Sequence, residues 1–347
     1  MRHEPTAPLA LVFITNGISA TMARGALAHD GYLLSRTILV KQRKVDIDWA
    51  GECAQVIEFT RKPSLTLLGQ VNQIGFYGRL LRAIHGLLNS GTLRDIYLPN
   101  IDNLVNNHIL QMKRRRRLPG GPRLSVIAEG LMNYQDITDK DRAGWRWKIK
   151  PALSRLMRLR YAKPSAHLSG AFEPEIARVF AYSDTGLMAP PDKVSIIAYP
   201  QVKPIAAARP DTALVVMTGI AQWMTPEAFD AFKSAFARWV NAQGFAQVLV
   251  KPHPHYPSGG VEALIERSAP LGDPRRLEDM AAEIPAQTVI GYCTTGLITL
   301  KLIRPDLDFI DWGSDYYCEH AYHGDRSVIA PLRGAGIRLV EMRAEAA

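Results

Sequence analysis

Cysteine is nearly absent from this chain. Its 347 residues contain three, Cys53, Cys293 and Cys318. They are odd in number, far apart and without CxxC spacing, which excludes a disulfide framework and leaves no zinc-cluster signature. A reducing cytoplasm is the expected compartment. Long apolar runs are missing too. The first run, Leu9–Ile14, ends in the turn Thr15-Asn16-Gly17, so neither a signal peptide nor a membrane span of ~18 apolar residues is predicted. Internal repeats and low-complexity segments are also lacking. Charged residues at 22% and apolar residues at 47% describe a soluble globular protein. The length predicts two domains of about 150 residues each.

Positive charge is what the chain has in excess, and it is concentrated. The net charge is +9, yet the segment from Lys113 to Lys163 alone carries 15 Lys/Arg against 4 Asp/Glu, a net of +11 that leaves −2 for the rest. It holds "KRRRR" (113–117) and "WRWKIKPALSRLMRLRY" (145–161). The plainer reading is a solvated loop followed by the charged face of a helix. The sharper reading is contact with a polyanion. Trp145, Trp147, Ile149, Leu153, Leu156, Met157 and Leu159 are interleaved with cations, a mixture that suits an anionic membrane surface. No nucleic-acid motif accompanies the charge, and nucleic acid is not an expected partner.

Apolar runs of strand length alternate with helical patterns. Strands are expected at Leu9–Ile14, Thr37–Val40, Val56–Phe59, Asp95–Leu98, Leu124–Ala128 and His167–Ser169. Further on they are expected at Val194–Ile197, Ala213–Met217, Ala246–Lys251, Thr288–Ile290 and Leu307–Ile310. Helices are expected at Gln73–Asn89, Asn103–Met112, Pro226–Ala242 and Gly260–Glu266. Continuous β-branched runs between helices predict parallel sheets covered on both faces. The segment Tyr199–Asp211 holds three prolines and no periodicity, which marks it as a linker. The expected architecture is α/β, two Rossmann-like domains with a central cleft, spanning 1–200 and 201–347. The C-terminal end has the option of packing back on the first domain.

Ligands of open α/β sheets bind beyond the carboxyl ends of strands, and three such ends carry reactive side chains. Glu129-Gly130 closes the run Leu124–Ala128. A carboxylate there can take a proton from a hydroxyl, and Gly130 permits a sharp turn and close approach; the plainer reading is an acid at a helix N-terminus. Lys251-Pro252-His253-Pro254 follows Ala246–Lys251. The prolines restrict the backbone around His253 and supply no N–H, so side chains must do any binding, and an imidazole N–H suits a departing phosphate. His253 and His255 form an HxH pair, but no third ligand at convincing spacing completes a metal site, and none is expected. The plainer reading is a structural turn. Thr294, Thr295 and Gly296 sit where an apolar helix begins, an arrangement that offers hydroxyls and N–H groups to an anion; the plainer reading is an ordinary N-cap. Thr218-Gly219 is a weaker fourth element that also ends a strand. In Pro99–Leu110, four Asn and His108 offer amides to acceptor hydroxyls, with surface solvation as the alternative.

The order acid-Gly, His-Pro and Thr-Thr resembles that of the bacterial sialyltransferases, above all the polysialyltransferase and lipooligosaccharide sialyltransferase families. Their acidic-acidic-Gly, His-Pro and paired Ser/Thr motifs are matched by Glu129-Gly130, His253-Pro254 and Thr294-Thr295. "EGLMNY" (129–134) and "VKPHP" (250–254) extend the likeness, which covers Leu124–Lys301. Ala128 stands where the family has its first acid, and threonines replace the commoner serines. The resemblance implies a GT-B fold and inverting, metal-independent transfer of sialic acid or a related nonulosonic acid from a CMP-activated donor. The acceptor would be a cell-surface glycan or glycolipid, as in capsule or lipooligosaccharide biosynthesis. It implies Glu129 as base and His253 as donor to the leaving phosphate. Gly130, Thr218, Gly219, Lys251, Pro254, Thr294, Thr295 and Gly296 would line the donor site, with no cofactor beyond the CMP-sugar itself. Glu129 and His253 would then face each other across the cleft. The basic segment would hold an anionic glycan or dock the enzyme on the inner face of the cytoplasmic membrane. Two other readings use the same residues: a nucleotide-sugar epimerase or hydrolase of GT-B-like fold, and a non-catalytic glycan- or membrane-binding protein.

Overall fold

The computed structural model describes residues 9–42, 45–59, 67–135, 145–253, 259–273, 275–321 and 324–342. Two compact units divide them. The first takes the chain up to Asp184 together with Met188–Ala198; the second takes Thr185–Leu187 and the chain from Tyr199 onward.

The first unit is built on strands β1 (Leu9–Ile14), β2 (Thr37–Lys41), β3 (Gln55–Glu58), β4 (Leu93–Leu98), β5 (Arg123–Ile127), β6 (Ile176–Ala181) and β7 (Val194–Ile196), with helices α1 (Gly17–His29), α2 (Leu67–Asn89), α3 (Leu104–Arg114) and α4 (Trp145–Leu156). All pairings are parallel, in the order β3-β2-β1-β4-β5-β6-β7. The apolar run of β1 explains its central place: Ala10 to Ile14 are fully buried, and a strand covered on both faces has no need of polar alternation. Asp95 and Asp30, which the same fold buries, are each met by arginine. Arg123 grips Asp95 with two nitrogens at 2.7 and 2.9 Å, and Arg178 reaches Asp30 at 2.6 Å. These pairs offset the desolvation of two carboxylates.

The second unit comprises β8 (Arg209–Val216), β9 (Gln247–Lys251), β10 (Ser268–Pro270), β11 (Ala286–Gly291), β12 (Asp308–Trp312) and β13 (Arg338–Val340), with α5 (Pro226–Ala242), α6 (Thr295–Ile303), α7 (Ser314–Ala321) and α8 (Ile329–Gly334). Its sheet is also parallel, ordered β10-β9-β8-β11-β12-β13. Helix α5 starts at Pro226, as expected; Thr225 caps it by accepting from Ala228 N, and Pro226 sits in the first turn. Its Phe232 stacks edge-on against Tyr292 at 5.1 Å and against Trp312 at 5.4 Å, with Phe236 beside both. Each such pair adds about 0.5–1.5 kcal/mol to simple burial. The cluster fixes Tyr292, which directly follows β11.

Two expected elements are absent. His167–Ser169 is a turn. The His167 ring donates from Nε2 to Gln135 O at 2.8 Å and meets Ser169 Oγ with Nδ1 at 2.8 Å, so local side-chain bonds replace a ladder. The strand lies further on, at Ile176–Ala181. Gly260–Glu266 forms only the single turn Glu262–Leu264. Gly259 and Gly260 both adopt positive φ, 69° and 82°, which a helix does not accommodate. Among the described residues no helix is long and apolar enough to cross a membrane.

Candidate functional site

In the first sheet the strand order reverses between β1 and β4. Chain crossovers leave opposite faces there, which opens a crevice beyond the carboxyl ends. Four polar residues gather at this point, and Glu129 is their hub. Thr15 Oγ1, just past β1, donates to Glu129 Oε2 at 2.5 Å. Asn100 Nδ2, past β4, donates to Glu129 Oε1 at 2.7 Å. Asn16 caps α1 by accepting from Ser19 N at 2.8 Å, and its Nδ2 donates to the carbonyl of Glu129 at 2.8 Å. Asn133 Oδ1 accepts the Glu129 N–H at 2.9 Å. Both carboxylate oxygens and both main-chain groups are therefore fixed.

Gly130 has φ 133° and ψ −157°, a region open essentially to glycine alone. This is the sharp turn expected of it, and it brings Asn133 back to Glu129. The plainer reading of Glu129 as a helix-capping acid does not hold. The turn that follows, Leu131–Asn133, has no side-chain cap, and the carboxylate bonds to other chain segments instead. In sequence Thr15 and Asn16 read only as a turn, and Asn100, one of the four asparagines expected to meet acceptor hydroxyls, donates to the Glu129 carboxylate instead. Their signal was available, since each follows a strand adjoining the reversal point.

The amides of the α3 region are not offered to a ligand. Asn103 caps α3 by accepting from Val105 N at 2.8 Å. Asn106 donates to Asn100 O at 2.8 Å and accepts from Gln42 at 3.1 Å. Asn107 grips both main-chain groups of Ala162, at 2.9 and 3.0 Å. His108 Nδ1 accepts the Arg160 N–H at 2.9 Å, and burial, with smaller repulsions from Arg160 and His85, pushes its pKa down to about 4. It is a neutral acceptor at ordinary pH. Solvation fails as the alternative too, because Asn106 and Asn107 are fully buried. These bonds tie the end of the basic segment to α3. Arg115, Arg116, Arg117, Arg155 and Arg158 are exposed there, Arg160 is half-buried, and none has an ion-pair partner among the described residues. Leu156, 70% exposed, sits among them. Desolvation, then the charges of Arg117 and Arg115, disfavour the Arg160 cation. The side chains of Trp145, Trp147 and Ile149 lie outside the described ones.

In the second sheet the reversal lies between β8 and β11. Thr218 Oγ1, past β8, donates to Tyr292 O, past β11, at 3.1 Å and so bridges the two strand ends. Gly219 begins the turn Ile220–Gln222. Thr294 is the N-cap of α6, and its hydroxyl accepts from Gly296 N at 3.2 Å; the ordinary capping role is thus real, and an anion would have to take that N–H over. Thr295 opens the helix and its carbonyl accepts from Thr299 Oγ1 at 3.0 Å. A Cβ on Gly296 would stand 3.4 Å from Leu277 Cδ2 and 3.5 Å from Val216 Cγ1. Those are ordinary contacts, so the chain's own packing does not demand glycine there.

Lys251 departs from expectation. Its Nζ donates to the carbonyls of Asp273 and of Arg275, the latter at 2.7 Å. It clamps the loop after β10, and two of its three donors are occupied by main chain. Partial burial disfavours its charge, with Asp273 opposing. His253 is half-buried two residues beyond β9, the neighbour of β8. Pro254 and His255 lie outside the described residues. Among the described residues no group of three or more His, Cys, Asp or Glu is arranged to hold a metal ion.

The turn between β11 and α6 is held from beneath. Cys293 adopts φ 44°, a conformation that costs a non-glycine residue of order 1–3 kcal/mol. Its N–H is shared by Asp311 Oδ2 at 2.8 Å and Ser314 Oγ at 2.7 Å. Burial pushes the Asp311 carboxyl up to about 6, with hydrogen bonds from Ser314 and Cys293 N–H pulling the other way. The unfolded carboxyl releases its proton near 3.8, so between about pH 4 and 6 the folded chain binds the extra proton. Stability from this group is present at low pH and is lost as pH rises through that window, by about 3 kcal/mol in all. Asp311→Asn is expected to remove the loss. Urea midpoints of the two proteins at pH 4.5 and 7 check it: the difference should move in the variant's favour as pH rises, and a constant difference would refute the raised carboxyl.

No family model matches the chain, and no curated protein matches it in sequence. Solved structures match it in fold. The α/β-galactoside α-2,3-sialyltransferase of the luminous marine bacterium Photobacterium phosphoreum superposes with TM-score 0.51 at 9% identity, over 96% of this chain and 98% of that one. The glycotransferase of kitacinnamycin gives 0.51 at 10% identity, over 96% and 86%. LpCGTa, solved in complex with UDP, gives 0.50 at 12% identity, over 97% and 85%. The fold is that of the GT-B glycosyltransferases. Two Rossmann-like domains, expected from the alternation of strands and helices, are present. At these identities the likeness establishes fold alone.

Proposed function

We propose that this protein is an inverting glycosyltransferase that moves sialic acid or a related nonulosonic acid from a CMP-activated donor to a glycan or glycolipid. The observation that carries the reading is the Glu129 carboxylate fixed at the reversal point of the first sheet, where α/β enzymes bind their substrates. The motif order stated above supplies the donor class.

The anomeric carbon of such a donor is tertiary and bears a carboxylate. Its transition state has oxocarbenium character, with negative charge growing on the departing phosphate. Thr15 and Asn100 hold the two oxygens of the Glu129 carboxylate. That carboxylate takes the proton of the acceptor hydroxyl as the new C–O bond forms. His253 donates an N–H to the phosphate oxygen as the C–O bond to CMP breaks. Thr294 and Thr295, at the N-terminus of α6, share that charge, and cytidine lies near Gly219. No metal is required in this scheme.

The test is a scan of CMP-sugars against simple galactoside and sialoside acceptors. CMP release that depends on acceptor is the expected result. Release at the same rate without acceptor makes the protein a hydrolase, and binding without turnover makes it a glycan- or membrane-binding protein.

The arginine cluster at the ends of α3 and α4 belongs, in this reading, to the approach of a lipid-linked acceptor on the inner face of the cytoplasmic membrane. Each cation near an anionic bilayer contributes about 1 kcal/mol, screened by salt. Combined Arg115→Gln, Arg117→Gln and Arg155→Gln is expected to weaken co-sedimentation with phosphatidylglycerol vesicles by about 100-fold. Equal sedimentation of the variant, or equal binding to neutral vesicles, would remove the membrane role.

A further inference from the structure

Glu129 receives a neutral side-chain donor on each carboxylate oxygen. Asp30 and Asp95, on or beside the same layer, are gripped by arginine. The donors from Thr15 and Asn100 to Glu129 are neutral. Both donors are buried side chains, each 8% exposed, and they come from two different strand ends. Thr15 is 114 residues from Glu129 and Asn100 is 29. Each approaches a different carboxylate oxygen. Asn16, next to Thr15, and Asn133, four residues past Glu129, fix the peptide groups on either side. Such a cage does more than place a surface acid. Donors aimed at a carboxylate favour its ionised form and permit one orientation of its oxygens.

We infer that Thr15 and Asn100 are positioning residues, which keep the Glu129 carboxylate ionised and hold its two oxygens in one orientation. Their part in turnover rests on the assignment of Glu129 as base; their hold on the carboxylate does not. Removing either donor costs the charged form more than the protonated one, so the carboxylate should bind its proton more tightly.

The direct readout is 13C NMR of the full chain labelled at the glutamate carboxyl carbon, with the Glu129 resonance identified by its loss in Glu129→Gln. Thr15→Val, which keeps shape and deletes the hydroxyl, and Asn100→Ser, which withdraws the amide, are each expected to raise the titration midpoint by about one unit. Thr15→Ser restores the hydroxyl and should return the midpoint to the wild-type value. Circular dichroism and melting establish that the variants are folded; Thr15→Ala and Asn100→Ala replace any that are not. Midpoints unchanged in folded variants overturn the inference. The acidic limb of kcat/KM with CMP-sialic acid and a lactoside acceptor then separates the two assignments. If Glu129 is the base, the limb moves upward with the NMR midpoint. If Glu129→Gln remains active, the base assignment fails while the NMR shift still stands.

Discussion

Glu129→Gln should lower the turnover of a CMP-activated donor by about 10²–10⁴-fold, the range set by loss of a positioned general base. The variant keeps nearly the same volume. Its carbonyl oxygen can still accept from Asn100, and its amide can donate to the Thr15 hydroxyl, which is free to reverse its role. The Asn16 and Asn133 bonds involve main chain and remain. The fold should therefore persist, and CMP affinity should change little. What disappears is the only feature an amide lacks, the ability to take a proton from an acceptor hydroxyl. Single-turnover CMP release with acceptor, beside a melting curve and CMP titration, checks this. Full activity in the variant would mean that another group takes the proton.

His253→Ala should lower turnover by about 10²–10³-fold, the usual effect of deleting one donor to developing oxyanion charge, and should also weaken donor binding. The two losses together distinguish it from Glu129→Gln, whose effect falls on chemistry alone. A half-buried imidazole next to a strand end is well placed for this role, since partial exclusion of water strengthens a hydrogen bond to phosphate. Isothermal titration with CMP and steady-state kinetics report the two quantities separately. Unchanged values in both would return His253 to the plainer role of a turn residue.

Much of the scaffold is legible in the chain because burial on both faces leaves a direct mark. The run Leu9–Ile14 reads as a strand and is one, and Pro226–Ala242 reads as a helix and is one to the residue. Glu129 stands out because it follows an apolar run where a parallel strand stops, and Thr294 because it precedes the apolar run of a helix. Their partners are not legible. Thr15 looks like part of a turn, and nothing local ties it to a carboxylate 114 positions away. Lys251 shows the opposite error. Its place beside His253 suggests a ligand, while the carbonyls of Asp273 and Arg275 that occupy it are far along the chain. The asparagines of α3 mislead because polarity predicts exposure, whereas buried amides are admitted wherever main-chain groups need partners. His167–Ser169 fails because three residues hold too little periodicity to outweigh a side chain that bonds its own neighbourhood.

The anchoring of 160–162 by Asn107 and His108 bears on how the arginine cluster would land on a charged surface. A basic arm that dangles must give up its freedom on landing, at about 0.5–1.5 kcal/mol for each long side chain and more for the backbone. Here the backbone is already set before any encounter. Attachment should therefore behave as a preorganised electrostatic contact, fast and reversible, dissolved by ionic strength and little altered by temperature.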